Sequence, residues 1–282
     1  MRLVAYRRDG IDGLALSRGG ELRDLGPLAL IDLLAAGPEA LAGLGRKADR
    51  GAALDPDAIA WRPPLPRPPK IVCVGLNYAD HTKESPYEQP AYPTFFPRFA
   101  SSLIGHRAPI RRPLCSTHLD YEGELVAVIG RPGRHIPRER ALEHVAGYSI
   151  FNEASLRDYQ FKTPQWTVGK NFDDTGAFGP VFVTADELPP GGSGLRLETR
   201  LNGTTMQSAT TADMLFDIPE IVARLSEVAT LETGDVLVTG TPAGVGFARK
   251  PPLYMRSGDR VEVEIEGIGI LANPVLDEGE AG

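Results

Sequence analysis

The run Asp120-Tyr121-Glu122-Gly123-Glu124-Leu125-Val126-Ala127-Val128-Ile129-Gly130 places two carboxylates at the head of an unbroken apolar stretch. A strand alternates its side chains between two faces, so Glu122, Glu124, Val126 and Val128 share one face while Tyr121, Leu125, Ala127 and Ile129 share the other. Both faces read as buried. Two neighbouring carboxylates in such a strand repel each other and lose hydration unless a cation or hydrogen-bond donors compensate them. A third acid, Glu153, ends a second apolar run, Gly147-Tyr148-Ser149-Ile150-Phe151-Asn152-Glu153. Three carboxylates with no Cys or His among them make a hard oxygen site, suited to Mg²⁺, Mn²⁺ or Ca²⁺ rather than Zn²⁺. Glutamates at i and i+2 also form ordinary solvated strand faces, as in Val261-Glu262-Val263-Glu264-Ile265-Glu266, where the acids hold one whole face. The pattern alone leaves both readings open.

Residues 1 to 65 read as a small N-terminal α+β module. It has strands at Arg2–Tyr6 and Leu14–Ser17, a turn at Asp9–Gly13 and a helix over Ala29–Ala36. The segment Trp61-Arg62-Pro63-Pro64-Leu65-Pro66-Arg67-Pro68-Pro69-Lys70 cannot continue a helix or a central strand, and it serves as the linker to a catalytic domain over residues 70–282. Past it, Ile71–Gly75 reads as a buried strand leading into a short helix with Asn77 as N-cap, on which His81 and Glu84 face the same way. Ser155-Leu156-Arg157-Asp158 has the form of a capping box, which predicts a helical turn just after Glu153. Asn202-Gly203 predicts a hairpin turn, and Ile218–Val228 a helix with Asp217 as N-cap and Glu220 closing its box. Asp235–Thr239 reads as a strand entering the glycine-rich loop Gly240-Thr241-Pro242-Ala243-Gly244-Val245-Gly246. That loop lacks the lysine and spacing of a phosphate-binding loop.

A formal charge of -7 argues against nucleic acid or an anionic membrane surface as the main partner. Cys73 and Cys115 form no ligand cluster, which predicts a reducing compartment. No apolar run reads as a signal peptide or a membrane span, so the expected location is the cytoplasm. His106, His118, His135 and His144 have no ligand-like spacing, and no GxSxG, HExxH or CxxC motif supplies a competing catalytic centre.

Five ordered motifs together resemble the fumarylacetoacetate hydrolase family over roughly residues 70 to 275. They are Gly75-Leu76-Asn77-Tyr78-Ala79-Asp80-His81-Thr82-Lys83-Glu84, Asp120-Tyr121-Glu122-Gly123-Glu124-Leu125, Asn152-Glu153-Ala154-Ser155-Leu156-Arg157-Asp158, Gly169-Lys170-Asn171-Phe172-Asp173 and Thr239-Gly240-Thr241-Pro242-Ala243-Gly244-Val245-Gly246. The resemblance implies an α+β, mainly β fold, a mixed β-sandwich roll, and a homodimer acting on a small oxo acid. It further implies a Mg²⁺ or Mn²⁺ site, with Ca²⁺ as a crystallographic substitute, held by Glu122, Glu124 and Glu153. By the same resemblance Lys170 is the active-site lysine, His81 and Glu84 are the catalytic pair, and Arg157, Gln160, Gly240 and Thr241 bind substrate oxygens. The family's third ligand is usually Asp, and here it is Glu153.

These residue types suit the cleavage of a carbon–carbon bond in a 2,4-dioxo acid such as an acylpyruvate. A chelated metal and a fixed lysine charge stabilise the enolate that leaves, and a histidine oriented by a carboxylate activates water. Decarboxylation or isomerisation of a small 2-oxo diacid such as oxaloacetate passes through the same enolate and is the first alternative. A catalytically silent binding protein is the second. The loops Ser85–Pro93 and Ala248–Met255 are expected to select the substrate.

Overall fold

Strand Gly123–Ile129 is buried at every residue, as an apolar run with branched side chains on both faces requires. The computed structural model describes residues 1–84 and 88–280. Around this strand the chain builds a mixed, strand-rich α+β fold without a closed barrel, the class that the sequence predicts. Val145–Glu153 flanks the central strand on one side and Val236–Val238 on the other, both antiparallel to it. The sheet continues through Gly176–Thr184 into the N-terminal strands by way of Arg2–Arg8, and through Ile71–Gly75 to Thr94–Pro97 at the opposite edge. A second sheet contains Arg196–Leu201, Thr204–Thr210, Arg260–Ile265 and Gly269–Asp277, with Ile110–Arg112 at its edge.

The two faces of the central strand enter two different cores. Leu125, Ala127 and Ile129 pack with Leu197, Val261, Val263 and Leu271 of the second sheet and with Ile218, Ile221 and Val222 of the helix Ile218–Val228. Val126 and Val128 pack on the other side with Leu3, Leu16, Phe151, Phe178 and Val238, beneath Leu30 and Leu34 of the helix Leu30–Ala36. The two glutamates head the second of these faces. Among the described residues, no helix is long and apolar enough to cross a membrane.

Two local signals read from the sequence are present in the fold. Asp217 caps its helix by accepting from the Glu220 amide at 2.9 Å, and Asn202 and Gly203 both take the positive φ of the hairpin turn. Glu262 and Glu264 form the half-exposed, solvated face read from the sequence, paired with Arg200. Three caps differ. The Asn77 side chain serves the Phe216 amide and the carbonyls of Phe216 and Thr239 rather than its own helix, because it is fully buried and must satisfy all its polar atoms there. Ser155 donates to the Glu153 carbonyl and sits in a two-residue strand opposite Asp120, so the helical turn begins at Arg157. Glu220 turns outward to Arg138 and Arg224 instead of closing a box.

Gly123, between the two glutamates, lies directly beneath the second sheet. A Cβ there would fall inside van der Waals contact of Thr199 Oγ1 and Val263 Cγ1. Overpacking of this kind costs about 1–3 kcal/mol. Gly123→Ala is therefore expected to lower the unfolding free energy measured in urea by that amount, and an unchanged value would show that the two sheets are not pressed together at this point.

Candidate active site

Antiparallel pairing sets the site. The Glu153 amide donates to the Glu122 carbonyl at 2.9 Å, and Gly123 pairs with Asn152. Residues directly opposite in an antiparallel pair project from the same face, and so do residues two apart on one strand. Glu122, Glu124 and Glu153 accordingly share one face, each no more than 3% exposed. One oxygen of each lies within 4.8 Å of the others.

The surroundings supply the compensation that such a cluster needs. Lys170, the last residue of the short helix Thr167–Lys170, donates to Glu122 at 2.6 Å and to Glu153 at 2.8 Å. Arg157 reaches Glu122 at 2.6 Å and Asp120 at 2.8 Å, and its neighbour Gln160 at 2.8 Å. Burial would raise the Glu122 carboxyl, but the Lys170 and Arg157 charges outweigh it and hold it down at about 2. Burial likewise opposes the Lys170 ammonium, and Glu122 and Glu153 overcome it, keeping that lysine above its ordinary value. Among the described residues no cation pairs directly with Glu124, and the Lys170 charge reaches it only at a distance. The burial of Glu124, with repulsion from Glu153 and Glu122, pushes its carboxyl well above the usual range despite the hydrogen bond it accepts from Gly240 N.

A divalent cation fits this arrangement. Four buried carboxylates, Asp120, Glu122, Glu124 and Glu153, face three buried cations, Arg98, Arg157 and Lys170. Glu153 Oε1 is buried without a hydrogen-bond partner. Convergent carboxylate oxygens with one charge in excess are the donor set of a hard cation.

The other predicted residues gather around the same centre. His81, Arg157, Gln160, Lys170 and Thr241 line one cavity with the three glutamates. Glu84 lies behind His81, its Oε1 3.0 Å from His81 Nδ1. With Nδ1 engaged, Nε2 is the nitrogen left to exchange protons. Gly240 and Thr241 act in the scaffold: Gly240 N donates to Glu124, while the Thr241 hydroxyl donates to the Gly123 carbonyl and accepts from Gln207. The first residues of the Ser85–Pro93 loop lie outside the described residues. Phe247, in the Ala248–Met255 region's immediate approach, stacks on Arg157 with 4.6 Å between the guanidinium carbon and the ring centroid.

Three alternate glycines of the 240–246 loop each give an amide to a different carboxylate. Gly240 serves Glu124, Gly244 serves both oxygens of Glu84 at 3.0 Å, and Gly246 serves Asp120 at 2.7 Å. Sequence reasoning missed this role, and it missed Asp120 although Asp120 opens the acidic motif. It also missed Arg98, whose Nη1 lies 3.5 Å from Glu153 Oε1. The available signal was a single charge in the apolar run Thr94-Phe95-Phe96-Pro97-Arg98-Phe99.

The model of the fumarylacetoacetate (FAA) hydrolase C-terminal family matches residues 70–276. A mitochondrial oxaloacetate tautomerase of Xenopus laevis is 38% identical over 98% of this chain and 90% of its own. The solved structure of a fumarylacetoacetate hydrolase from Exiguobacterium antarcticum is 40% identical, with a TM-score of 0.87 over 99% of this chain and 100% of that one. A maleylpyruvate hydrolase from Sphingobium sp. SYK-6, solved with manganese(II) and pyruvate, is 26% identical, with a TM-score of 0.83 over 98% and 99% of the two chains.

A ligand that binds only the folded protein raises its melting temperature. Mn²⁺ is therefore expected to raise Tm in the wild type, and Glu124→Gln to abolish that rise. Glu153→Asp shortens a ligand that the surrounding backbone accommodates at full length, so it should weaken Mn²⁺ binding in titration calorimetry. Tighter binding by the aspartate variant would show that the site is not fitted to glutamate.

Proposed function

The chain belongs to the fumarylacetoacetate hydrolase family, and on that premise we propose that it is a divalent-metal-dependent enzyme interconverting the enol and keto forms of a small 2-oxo diacid of the oxaloacetate class. The observation that carries this reading is the full-length likeness to a curated oxaloacetate tautomerase. The bacterial structure at 40% identity is named a fumarylacetoacetate hydrolase and supports the hydrolytic alternative. The tautomerase likeness places first the isomerase alternative of the sequence reading.

Glu122, Glu124 and Glu153 would hold Mg²⁺ or Mn²⁺. Such an ion, when bound, supplies Lewis-acid polarisation of the 2-oxo oxygen. Lys170 adds a positive charge, fixed by two carboxylates before substrate arrives, where negative charge grows as the enol forms. Arg157 has a buried Nη2 without a hydrogen-bond partner, a donor suited to a substrate carboxylate. His81, held through Nδ1 by Glu84, takes the proton from the carbon next to the 2-oxo group and delivers it to the enolate oxygen, and the same two transfers run backwards from enol to keto.

Hydrolytic cleavage of a 2,4-dioxo acid is the second reading, supported by the maleylpyruvate hydrolase likeness and by the His81–Glu84 pair, which also suits water activation. The test is kcat/KM, at saturating Mg²⁺, for enol-oxaloacetate followed by loss of enol absorbance and for acylpyruvates followed by pyruvate release. The first is expected to exceed the second. Removing one stabiliser of developing charge typically costs about 10²–10³-fold, so Lys170→Ala should depress the tautomerisation by that factor. His81→Ala should depress it by about 10²–10⁴-fold, the usual contribution of a positioned base. Faster acylpyruvate cleavage in the wild type would put the hydrolase reading first.

A further inference from the structure

The His81–Glu84 pair sits on a helix of only six residues, Ala79–Glu84. A helix this short has little stability of its own, so the orientation of its side chains depends on what holds them from outside. Glu84 is held from the glycine-rich loop: the Gly244 amide donates to both of its oxygens, each at 3.0 Å. The aim of His81 therefore depends on the position of one peptide unit.

The next peptide unit, which carries the Gly244 carbonyl, is fixed by Arg249. Its Nε and Nη2 donate to the Gly244 carbonyl at 3.2 and 3.1 Å, and Nη2 also reaches the Met206 carbonyl at 2.7 Å. The buried Tyr121 hydroxyl donates to the same Gly244 carbonyl at 3.2 Å and accepts from Arg249 Nε at 3.1 Å. Gly244 has φ of +105°, and a Cβ there would collide with the Met206 carbonyl. The loop thus lies tight against the strand Thr204–Thr210, with a half-buried guanidinium joining the two carbonyls. Arg249 lies five residues beyond Gly244, and its planar fork holds its acceptors in a fixed geometry that a flexible lysine ammonium does not impose.

We infer that Arg249 is a positioning residue for the reaction: it clamps the Gly244 carbonyl, and through the Gly244 Cα it fixes the preceding amide, which holds Glu84, which aims the His81 ring. Arg249 touches neither the three glutamates nor Lys170 in the contacts described, so the clamp acts on proton transfer and leaves metal binding alone. This rests on the reading of His81 as the proton-transfer group.

The test compares Arg249→Met, Arg249→Lys, Glu84→Gln and the double variant Glu84→Gln/Arg249→Met in the full chain with Mn²⁺. Loosening a reacting group by a fraction of its working distance costs about 10–100-fold, so Arg249→Met should lower kcat by that factor with KM and Mn²⁺ affinity unchanged. Arg249→Lys should recover only part of the loss. In the Glu84→Gln background Arg249→Met should add nothing further, since both act through one contact. A readout independent of turnover is the ring ¹⁵N signature of His81, which should show one tautomer in the wild type and an averaged pair of nitrogens in Arg249→Met. Loss of catalysis with weakened Mn²⁺ binding, a full additional loss in the Glu84→Gln background, or an unchanged His81 spectrum would each overturn the inference. If the wild type lacks the proposed activity but its His81 spectrum still responds to Arg249→Met, the reaction assignment fails and the clamp stands.

Discussion

One backbone hydrogen bond, from the Glu153 amide to the Glu122 carbonyl, sets the condition that the rest of the site must meet. It fixes a register in which three glutamates lie on one buried face of one sheet, a placement that is unfavourable without compensation. Each surrounding element contributes part of that compensation. The helices after Glu153 bring Arg157 and Lys170, the approach to the edge strand brings Arg98, and the loop after Thr239 brings a row of amides. The compensation is unequal. Glu122 has two cations beside it and stays ionised, whereas Glu124 has an amide and two repelling neighbours. The carboxylate that most needs a further cation is thus Glu124.

The glycine-rich loop follows from the same condition. A carboxylate held by a backbone amide is stabilised without adding another mobile charge. Gly240, Gly244 and Gly246 reach Glu124, Glu84 and Asp120, which lie at three different places in the chain. Side chains at 244 or 246 would strike the carbonyls of Met206 and Leu253, so glycine is required for the approach as well as for the turn. The loop therefore ties the face of the three glutamates to the His81–Glu84 pair. A sequence reading that asked only whether it could bind phosphate could not see this, because the acids that it serves are more than a hundred residues away in the chain.

That contrast marks what was legible in the residues. The alternation in Leu125–Ile129 and the acids before it gave the strand, its two buried faces and the face of the glutamates, since these depend on local periodicity alone. The Asn202-Gly203 turn and the Asp217 cap were legible for the same reason. What failed were caps whose side chains had a choice of partners. Asn77 and Ser155 both satisfy distant or preceding backbone groups because they are fully buried, and burial is a tertiary fact. Arg98 was invisible for a related reason: nothing near it in the sequence says that its nitrogen faces Glu153.

Arg98 also gives a physical account of why glutamate can stand where the family usually has aspartate. Glu153 pairs across the sheet with Gly176, so no side chain on the next strand crowds its longer stem. The vacated space holds the Arg98 guanidinium, and a Cβ at 176 would come within 2.7 Å of its Nε. That guanidinium is anchored by Ser102 at 3.0 Å and Thr175 at 2.8 Å, which leaves Nη1 as its one unbonded nitrogen, directed at Glu153 Oε1. The separation of 3.5 Å is too long for a strong hydrogen bond and short enough for substantial Coulomb attraction at low dielectric. Glu153 is therefore steered from one side by Arg98 and from the other by Lys170, with Oε1 still free to bind a cation. An aspartate at 153 would draw its carboxylate back toward the strand, away from both cations and away from Glu122 and Glu124. The glycine, the arginine and the extra methylene are one arrangement, and each makes sense only with the other two.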